Sequence, residues 1–336
     1  MSQAELLATI KAIAVPGKGI LAADESDKTI AKRFQSINLA STEESRRAYR
    51  EMLFTTPEFG QYVSGVILYE ETLYQKHKNG TSFPELLAKQ GAVPGIKVDK
   101  GLVSLPNCPG EQITQGLDGL TERLKKYKEQ GARFAKWREV YHISETTPSC
   151  LAIKANAEML AFYAAACQEQ GIVPIVEPEI LMDGNHTIER CFAVTEAVLH
   201  AVFKALYKHK ILLEGMILKP SMVISGSQCA KQANVQEVAE QTLTVLRRHV
   251  PAAVPSINFL SGGQSSELAT AHLNAMNKAK ANPWNLSFSY GRALQDHALK
   301  AWGGKEENVA AAQQALHKRL KLNGLANLGQ YESSME

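Results

Sequence analysis

Eight short apolar runs recur along the chain, each closing on a polar or charged residue just before a turn or a helix start. They are GILAAD (19–24), VSGVILYE (63–70), VPGIKVDK (93–100), RFAKWR (133–138), VPIVEPE (173–179), LEGMILK (213–219), INFLSGG (257–263) and LSFSYGR (286–292). Most are apolar at successive positions, which suits strands buried on both faces of a parallel sheet better than half-exposed strands. Between them the spacing predicts helices. Residues 112–130 carry apolar positions at helical spacing and stop at Gly131, where a terminal glycine belongs. Thr147 and Pro148 predict a cap and first-turn proline for a long helix to about Gln170, which Gly171 ends. Asn234, with Glu237 three residues on, predicts a capping-box start for residues 235–249, and residues 186–209 and 265–281 also read as helices. The opening stretch predicts a short amphipathic helix stopped by Pro16 and Gly17.

Eight buried strands alternating with helices predict an α/β fold in which the sheet closes into a (β/α)8 TIM barrel. Such barrels usually take about 250 residues. The excess is assigned to the N-terminal helix, the segment around 71–92 and C-terminal helices from 291 to about 323. No stretch reads as a linker, so residues 1–336 are expected to form one domain. An open doubly wound sheet is the alternative. The only nucleotide-like string, GKGILA, precedes its strand instead of following it and is rejected as a dinucleotide fingerprint.

Composition narrows the class without changing the fold. Hydrophobic residues are 45% and charged residues 21% of the chain, as in ordinary globular proteins, and the net charge of +3 is interspersed. No basic stripe suggests nucleic acid. Five widely spread cysteines without a CxxC pair indicate neither a disulfide framework nor a zinc knuckle. The acidic N-terminus is unlike a signal peptide, and no uninterrupted apolar stretch approaches the roughly 20 residues of a membrane span, so a cytoplasmic protein is expected.

In a barrel of this kind the C-terminal strand tips converge on one face, and here they are rich in ionisable groups: Asp24, Lys97, Asp99, Lys136, Arg138, Glu177, Glu179, Lys219 and Arg292. Any one of them alone would be an ordinary solvated strand end. Lys219 closes the run ILLEGMILK and is followed at once by Pro220, so it sits at a buried tip where desolvation favours a neutral, nucleophilic amine, and clustered cations such as Lys136 and Lys219 are expected to lower each other's pKa. Such an amine condenses with a carbonyl to form a Schiff base. Glu177 and Glu179, two apart, face one side of their strand and, with Asp24, supply acids and bases; spacing does not say which are only structural partners.

The last two strands end differently, in Ser261, Gly262 and Gly263 and in Ser289, Tyr290, Gly291 and Arg292. Small residues with free backbone N–H groups leading into helices make an anion site, and this position in the fold commonly holds phosphate. Arg292 adds a charged contact. Lys32 and Arg33, beyond Ser26, form a weaker second cationic group. The nine histidines show no metal-ligand spacing, so no metal or other cofactor is expected beyond the covalent lysine adduct.

The strings GKGILAADES, GIKVDKG, QGLDGL, FAKWR, GIVPIVEPEIL, LEGMILKPSMV, FLSGGQS, FSYGRALQ and LKAWGG resemble, in order from about residue 5 to about residue 325, the class I, Schiff-base-forming fructose-bisphosphate aldolases. The resemblance implies a homotetrameric, cytosolic carbon–carbon lyase of glycolysis and gluconeogenesis. Its reaction would be reversible cleavage of fructose 1,6-bisphosphate to dihydroxyacetone phosphate and glyceraldehyde 3-phosphate, without metal. It also implies roles: Lys219 as the Schiff-base lysine, Glu177 as principal acid and base, Lys136 as proton-transfer partner, Asp24 as the base for the C4 hydroxyl, and Glu179 orienting Lys219 and Lys136. Ser261 and Gly262, with Gly291 and Arg292, would hold the 1-phosphate, and Ser26, Lys97 and Arg138 the other end.

Two departures stand out. Asp27, Lys28 and Thr29 follow AADES where the family often has a glycine-containing stretch, and the segment 324–336 lacks the long tail whose terminal tyrosine serves enamine proton exchange in animal members, leaving Tyr331 or another group for that step. Another Schiff-base barrel enzyme, such as a transaldolase or deoxyribose-phosphate aldolase, would share the lysine but not the full set of strings. A non-catalytic sugar-phosphate-dependent scaffold, with cytoskeletal or other partners, remains the alternative of a different class.

Overall fold

Eight parallel strands close on themselves in the computed structural model, which describes residues 3–279 and 282–336. In chain order the strands are β1 (Gly19–Ala23), β2 (Val63–Leu68), β3 (Val93–Lys97), β4 (Leu102–Ser104), β5 (Gln112–Thr114), β6 (Phe134–Tyr141), β7 (Val173–Ile180), β8 (Ile217–Leu218), β9 (Ser256–Phe259) and β10 (Asn285–Tyr290). The barrel runs β1-β10-β9-β8-β7-β6-β3-β2, while β4 and β5 pair separately as an antiparallel hairpin. All eight predicted runs contain a barrel strand. The sixth is the most trimmed, because residues 213–215 form a tight 3-10 turn and only Ile217–Leu218 pair as strand. The Lys219 N–H still reaches Val176 O at 2.8 Å, so the lysine leaves the sheet tethered to β7.

The barrel interior is layered. Ile20, Ala22, Ile67, Val93, Phe134, Val173, Ile175 and Ile217 form a cluster with Leu6, Ile10 and Ile13 of the helix Gln3–Ile13. That helix packs on β2, β3 and β7, so the N-terminal residues, assigned from sequence to excess length, cover the apolar floor of the barrel. Above the floor the same strand faces turn charged: Phe134 is followed at period two by Lys136 and Arg138, and Val173 and Ile175 by Glu177 and Glu179. Glycine makes room for the floor. A Cβ on Gly95 would lie 2.2 Å from the Phe134 ring, and one on Gly19 would lie 2.6 Å from Phe288.

The outer helices follow their predicted signals with local differences. Asn234 and Glu237 form the expected capping box for Val235–His249, and Gly131 and Gly171 take positive φ just beyond their helices. The long helix starts at Cys150, capped by Ser149, whose side chain accepts from Ala152 N; Thr147 is instead engaged with Ser144 in the preceding turn. By length and composition alone this helix, Cys150–Glu169, is apolar enough to cross a membrane, yet it packs on β6 and β7, and the Tyr163 hydroxyl donates to Ala135 O at 2.7 Å. The predicted helix 186–209 is Ile188–Lys208 and that over 265–281 is Ser266–Lys278, its last two expected positions lying outside the described residues. The chain closes with helices Arg292–Trp302 and Val309–Asn327.

Residues 112–119 are not helical, contrary to the expectation for 112–130. Gly116 and Gly119 both take positive φ and break the run, so the helix is Leu120–Glu129. Residues 112–114 pair with Leu102–Ser104 instead. The hairpin is fastened to β6 by Glu139, whose carboxylate accepts from Thr114 N at 3.1 Å and from the Trp137 indole N–H at 2.8 Å. Glu139 is fully buried among neutral donors, and burial pushes its carboxyl up to about 7 against the pull of those hydrogen bonds.

Two outcomes are expected. Gly95→Ala should destabilise the fold by about 1–3 kcal/mol through overpacking. The check is a lowered urea midpoint with unchanged m, part of the loss being recovered by adding Phe134→Leu. For Glu139 the folded carboxyl titrates above its unfolded value, so the native state keeps a proton the unfolded chain has released. Its contribution is therefore present at low pH and is lost as pH rises from about 4.5 to about 7. Denaturation at pH 5 and pH 8 should show wild type losing more stability than Glu139→Gln over that interval, by on the order of 3 kcal/mol.

Candidate active site

The strand tips enclose a cavity of about 180 Å³ lined by Asp24, Ser26, Lys97, Lys136, Arg138, Glu177, Glu179, Lys219, Ser261, Gly262, Ser289, Gly291 and Arg292, with Ala22, Glu25, Thr29, Arg33 and Leu260. Of the residues singled out from sequence, Lys32, Asp99, Gly263, Tyr290 and Tyr331 do not line it. Gly263 stands one position behind, at φ +91°, where a Cβ would crowd the Arg292 guanidinium at 3.2 Å and the Met182 sulfur at 2.8 Å.

Glu177 is the junction of the charged layer. Its two oxygens face two buried ammoniums, Oε1 at 3.1 Å from Lys219 Nζ and Oε2 at 3.3 Å from Lys136 Nζ. Lys136 also meets Asp24 Oδ2 at 2.9 Å and Asp99 Oδ2 at 3.9 Å. Burial works against the Glu177 carboxylate, but Lys136, Lys219 and Arg138 outweigh it and hold it below the usual range. Asp24 is treated likewise: burial opposes its charge, and Lys136, Lys219 and Lys97 overcome that and hold it well below the ordinary aspartate range.

Two sequence expectations are corrected by this geometry. Lys136 was expected to be pushed toward neutrality by a neighbouring cation; burial does pull it down, but Asp24, Glu177 and Asp99 together drive it far above the normal lysine value. A lysine wrapped by three carboxylates keeps its proton. Glu179 was expected to orient Lys219 and Lys136, yet it pairs with Arg138 at 2.7 Å. The β6–β7 register explains this: Arg138 lies opposite Glu177 and Val140 opposite Glu179, so Glu179 stands a layer above the lysines.

The opposite wall presents small residues and an arginine. Ser261 and Gly262 follow β9, Ser289 is the penultimate residue of β10, and Gly291 caps the next helix, which Arg292 opens. The Ser289 hydroxyl is buried with no hydrogen-bond partner, a donor held ready beside Gly291. Ser26 caps the helix Asp27–Gln35 by its backbone position, and its hydroxyl lies 3.1 Å from the Thr29 hydroxyl; of the three residues that depart from the familiar string, Thr29 lines the cavity and Asp27 and Lys28 do not. Arg33, weighed lightly from sequence, also lines it. Its guanidinium is ion-paired with Glu25, whose other oxygen takes Arg50 at 2.6 Å, and Gln295 joins Glu25 at 3.0 Å. Burial works against the Glu25 carboxylate, but Arg33 and Arg50 outweigh it and keep it charged. Neither Glu25 nor Asp99 announced a role by spacing; the only signal was their position beside AAD and within KVDK.

Tyr331 is nowhere in this cavity lining. Its backbone is clasped by the Asn274 amide at 3.0 Å, and its hydroxyl donates to Glu336 Oε1 at 3.0 Å.

The profile described as "Glycolytic: Fructose-bisphosphate aldolase class-I" matches residues 5–336. A probable fructose-bisphosphate aldolase class 1 of Xanthomonas campestris is 56% identical, the alignment covering 99% of this chain and 100% of the relative. The cytosolic fructose-bisphosphate aldolase 6 of Arabidopsis thaliana is 60% identical over 98% of this chain and 92% of its own length. Among solved structures, fructose-bisphosphate aldolase from Plasmodium falciparum, in complex with TRAP and a small-molecule inhibitor, superposes with a TM-score of 0.97 at 51% identity, covering 98% of this chain and 96% of that one. With the profile matching residues 5–336 and relatives more than half identical over nearly their whole length, the chain belongs to the class I fructose-bisphosphate aldolase family.

Proposed function

We propose that this chain catalyses the reversible aldol cleavage of fructose 1,6-bisphosphate through a Schiff base on Lys219. The observation that carries the reading is Glu177 set between Lys219 and Lys136, 3.1 and 3.3 Å away, beneath an anion-binding wall. Lys219 passes an ammonium proton to Glu177, the freed amine adds to the C2 carbonyl, a proton moves from nitrogen to oxygen to give the neutral carbinolamine, and Glu177 returns its proton to the hydroxyl, which leaves as water to give the iminium. The C4 hydroxyl proton then passes to Asp24 as the C3–C4 bond breaks. The bonding pair moves into the iminium to form an enamine, and glyceraldehyde 3-phosphate departs. Protonation at C3 and hydrolysis release dihydroxyacetone phosphate and restore the amine.

Addition, dehydration and carbon–carbon cleavage use groups that line the cavity. Lys136, fixed as an ammonium, lowers the energy of negative charge developing near Asp24 and Glu177. Ser261, Gly262, Ser289, Gly291 and Arg292 take the 1-phosphate, while Ser26, Lys97, Arg138 and Arg33 serve the distal phosphate. Gly263 keeps Arg292 from being crowded, and Glu179 holds Arg138. The iminium is the electron sink, so the scheme assigns no metal or separate cofactor. We place the protein in the cytoplasm as a homotetramer acting in glycolysis and gluconeogenesis, a reading supported by its cytosolic plant relatives.

Borohydride trapping with dihydroxyacetone phosphate, with and without chelator, should leave a stable adduct on Lys219 in both conditions, located by peptide mass spectrometry. An adduct on another lysine would remove Lys219 from its role, and the lack of any adduct would sink the Schiff-base reading. Removing a charge-assisted phosphate contact costs about 1.5–3 kcal/mol. Arg292→Ala should therefore raise KM for fructose 1,6-bisphosphate by about 10- to 100-fold, and an unchanged KM in steady-state assays would place the phosphate elsewhere.

A further inference from the structure

Asp99 is a carboxylate that the proposed reaction does not use. It follows β3 at the same period-two position as Lys97 and stands behind the cavity lining, its side chain only 5% exposed. Its Oδ1 accepts from Gly101 N at 3.2 Å and lies 3.5 Å from Lys97 Nζ. Its Oδ2 is buried without a hydrogen-bond partner among the described residues and lies 3.9 Å from Lys136 Nζ. A buried carboxylate oxygen left unpaired is costly, and here the nearest cation stands just outside hydrogen-bond range.

Asp24 presents the complementary problem. Its Oδ2 is clamped by Lys136 at 2.9 Å, and a carboxylate so paired is a poor acceptor for a hydroxyl proton. Moving the Lys136 ammonium by about 1 Å would trade that contact for one with Asp99 and free Asp24 as a base. The groups facing Lys136 allow such a trade: Asp24 just after β1, Lys97 at the end of β3 and Asp99 beyond it, Arg138 on its own strand, Glu177 on β7 and Lys219 after β8. Of the three carboxylates, Asp24 and Glu177 come within 2.9 and 3.3 Å of the ammonium, whereas Asp99 stands off at 3.9 Å, beyond hydrogen-bond distance.

We propose that Asp99 is a positioning residue that links distal-phosphate binding to the release of Asp24. When a phosphate takes Lys97, Asp99 loses its first cation and draws Lys136 away from Asp24. The inference rests on the aldolase reading above, because it needs Lys97 at a phosphate and Asp24 as the base. No bond is made or broken by Asp99 itself. The C4 proton still goes to Asp24 and the electron pair to the iminium.

A substrate without the distal phosphate cannot trigger the exchange, which supplies the test. Turnover of fructose 1,6-bisphosphate and of fructose 1-phosphate is measured in wild type, Asp99→Asn and Asp99→Ser, and the ratio of the two kcat values is taken within each preparation, so the folded fraction cancels. The expected result is a roughly tenfold fall in kcat for the bisphosphate in both variants, about 1.4 kcal/mol. The kcat for the monophosphate should change less than about twofold, and borohydride trapping at Lys219 should proceed at the wild-type rate. Equal losses on both substrates would mean a merely structural Asp99 and would overturn the proposal, as would an unchanged bisphosphate kcat. Wild type that fails to cleave fructose 1,6-bisphosphate would instead refute the reading on which it rests, and the proposal with it.

Discussion

An ammonium and its carboxylate partners can be taken out of water together only if every member is paired, since desolvation of each ion costs several kcal/mol and a broken buried pair about 3–5. Lys136, Asp24, Glu177 and Lys219 meet that condition at the strand tips. Much of the architecture serves it. The apolar floor of Phe134, Ile175 and Ile217, covered from below by the helix Gln3–Ile13, keeps water from reaching the cluster through the barrel. The closed sheet fixes the register that sets Arg138 across from Glu177 and Lys97 across from Lys136. A slip of one residue on any of these strands would turn the charges outward and the helix-facing side chains in.

The same requirement explains the second layer at the phosphate wall. Arg33 reaches the cavity from a helix, and a free guanidinium there would swing with its long side chain. Glu25 pins it, Arg50 balances Glu25, and the Gln295 amide donates to both Glu25 Oε1 and Ala22 O. Tyr49 completes the chain by donating to Gln295 Oε1 at 2.9 Å. These residues come from four separate segments, yet they act on one cation. In the proposed reaction they fix the Arg33 guanidinium before the phosphate arrives, which lowers the ordering cost of binding.

How far this was legible depends on the range of the interaction. Strands buried on both faces and helices with local caps carry their signals within a few residues, so the barrel, the Asn234 cap and the glycine stops could be read directly. The Leu102–Thr114 hairpin could not, because Ile113, Leu117 and Leu120 mimic helical spacing while the decisive feature is the positive φ of Gly116 and Gly119. Side-chain partners were harder still. That Glu179 belongs to Arg138, and that Lys136 holds its proton, follow from register and from three carboxylates brought in by three strands, and none of this is encoded in neighbouring letters. Asp99 was visible as one charged tip among several, with nothing local to say that one of its oxygens ends unpaired.

Glu177 and Glu139 show how completely the strand face decides a carboxylate's chemistry. Both are buried glutamates at the same end of the barrel, yet Glu139 points outward to neutral N–H donors and its carboxyl rises to about 7, whereas Glu177 points inward to two ammoniums and is lowered. An ionised Glu177 is ready to accept a proton but not to give one. In the proposed reaction that changes with the first bond: once the Lys219 nitrogen becomes part of a neutral carbinolamine, Glu177 loses one of its two cations, and burial regains weight in favour of the protonated acid. The acid needed to expel water as the iminium forms is thus produced by the step before it. When the iminium restores a positive nitrogen at the same place, Glu177 is driven back to a base. One carboxylate serves both roles because the covalent state of its neighbour resets its proton affinity, a device that requires Glu177 to touch Lys219 and Lys136 at once.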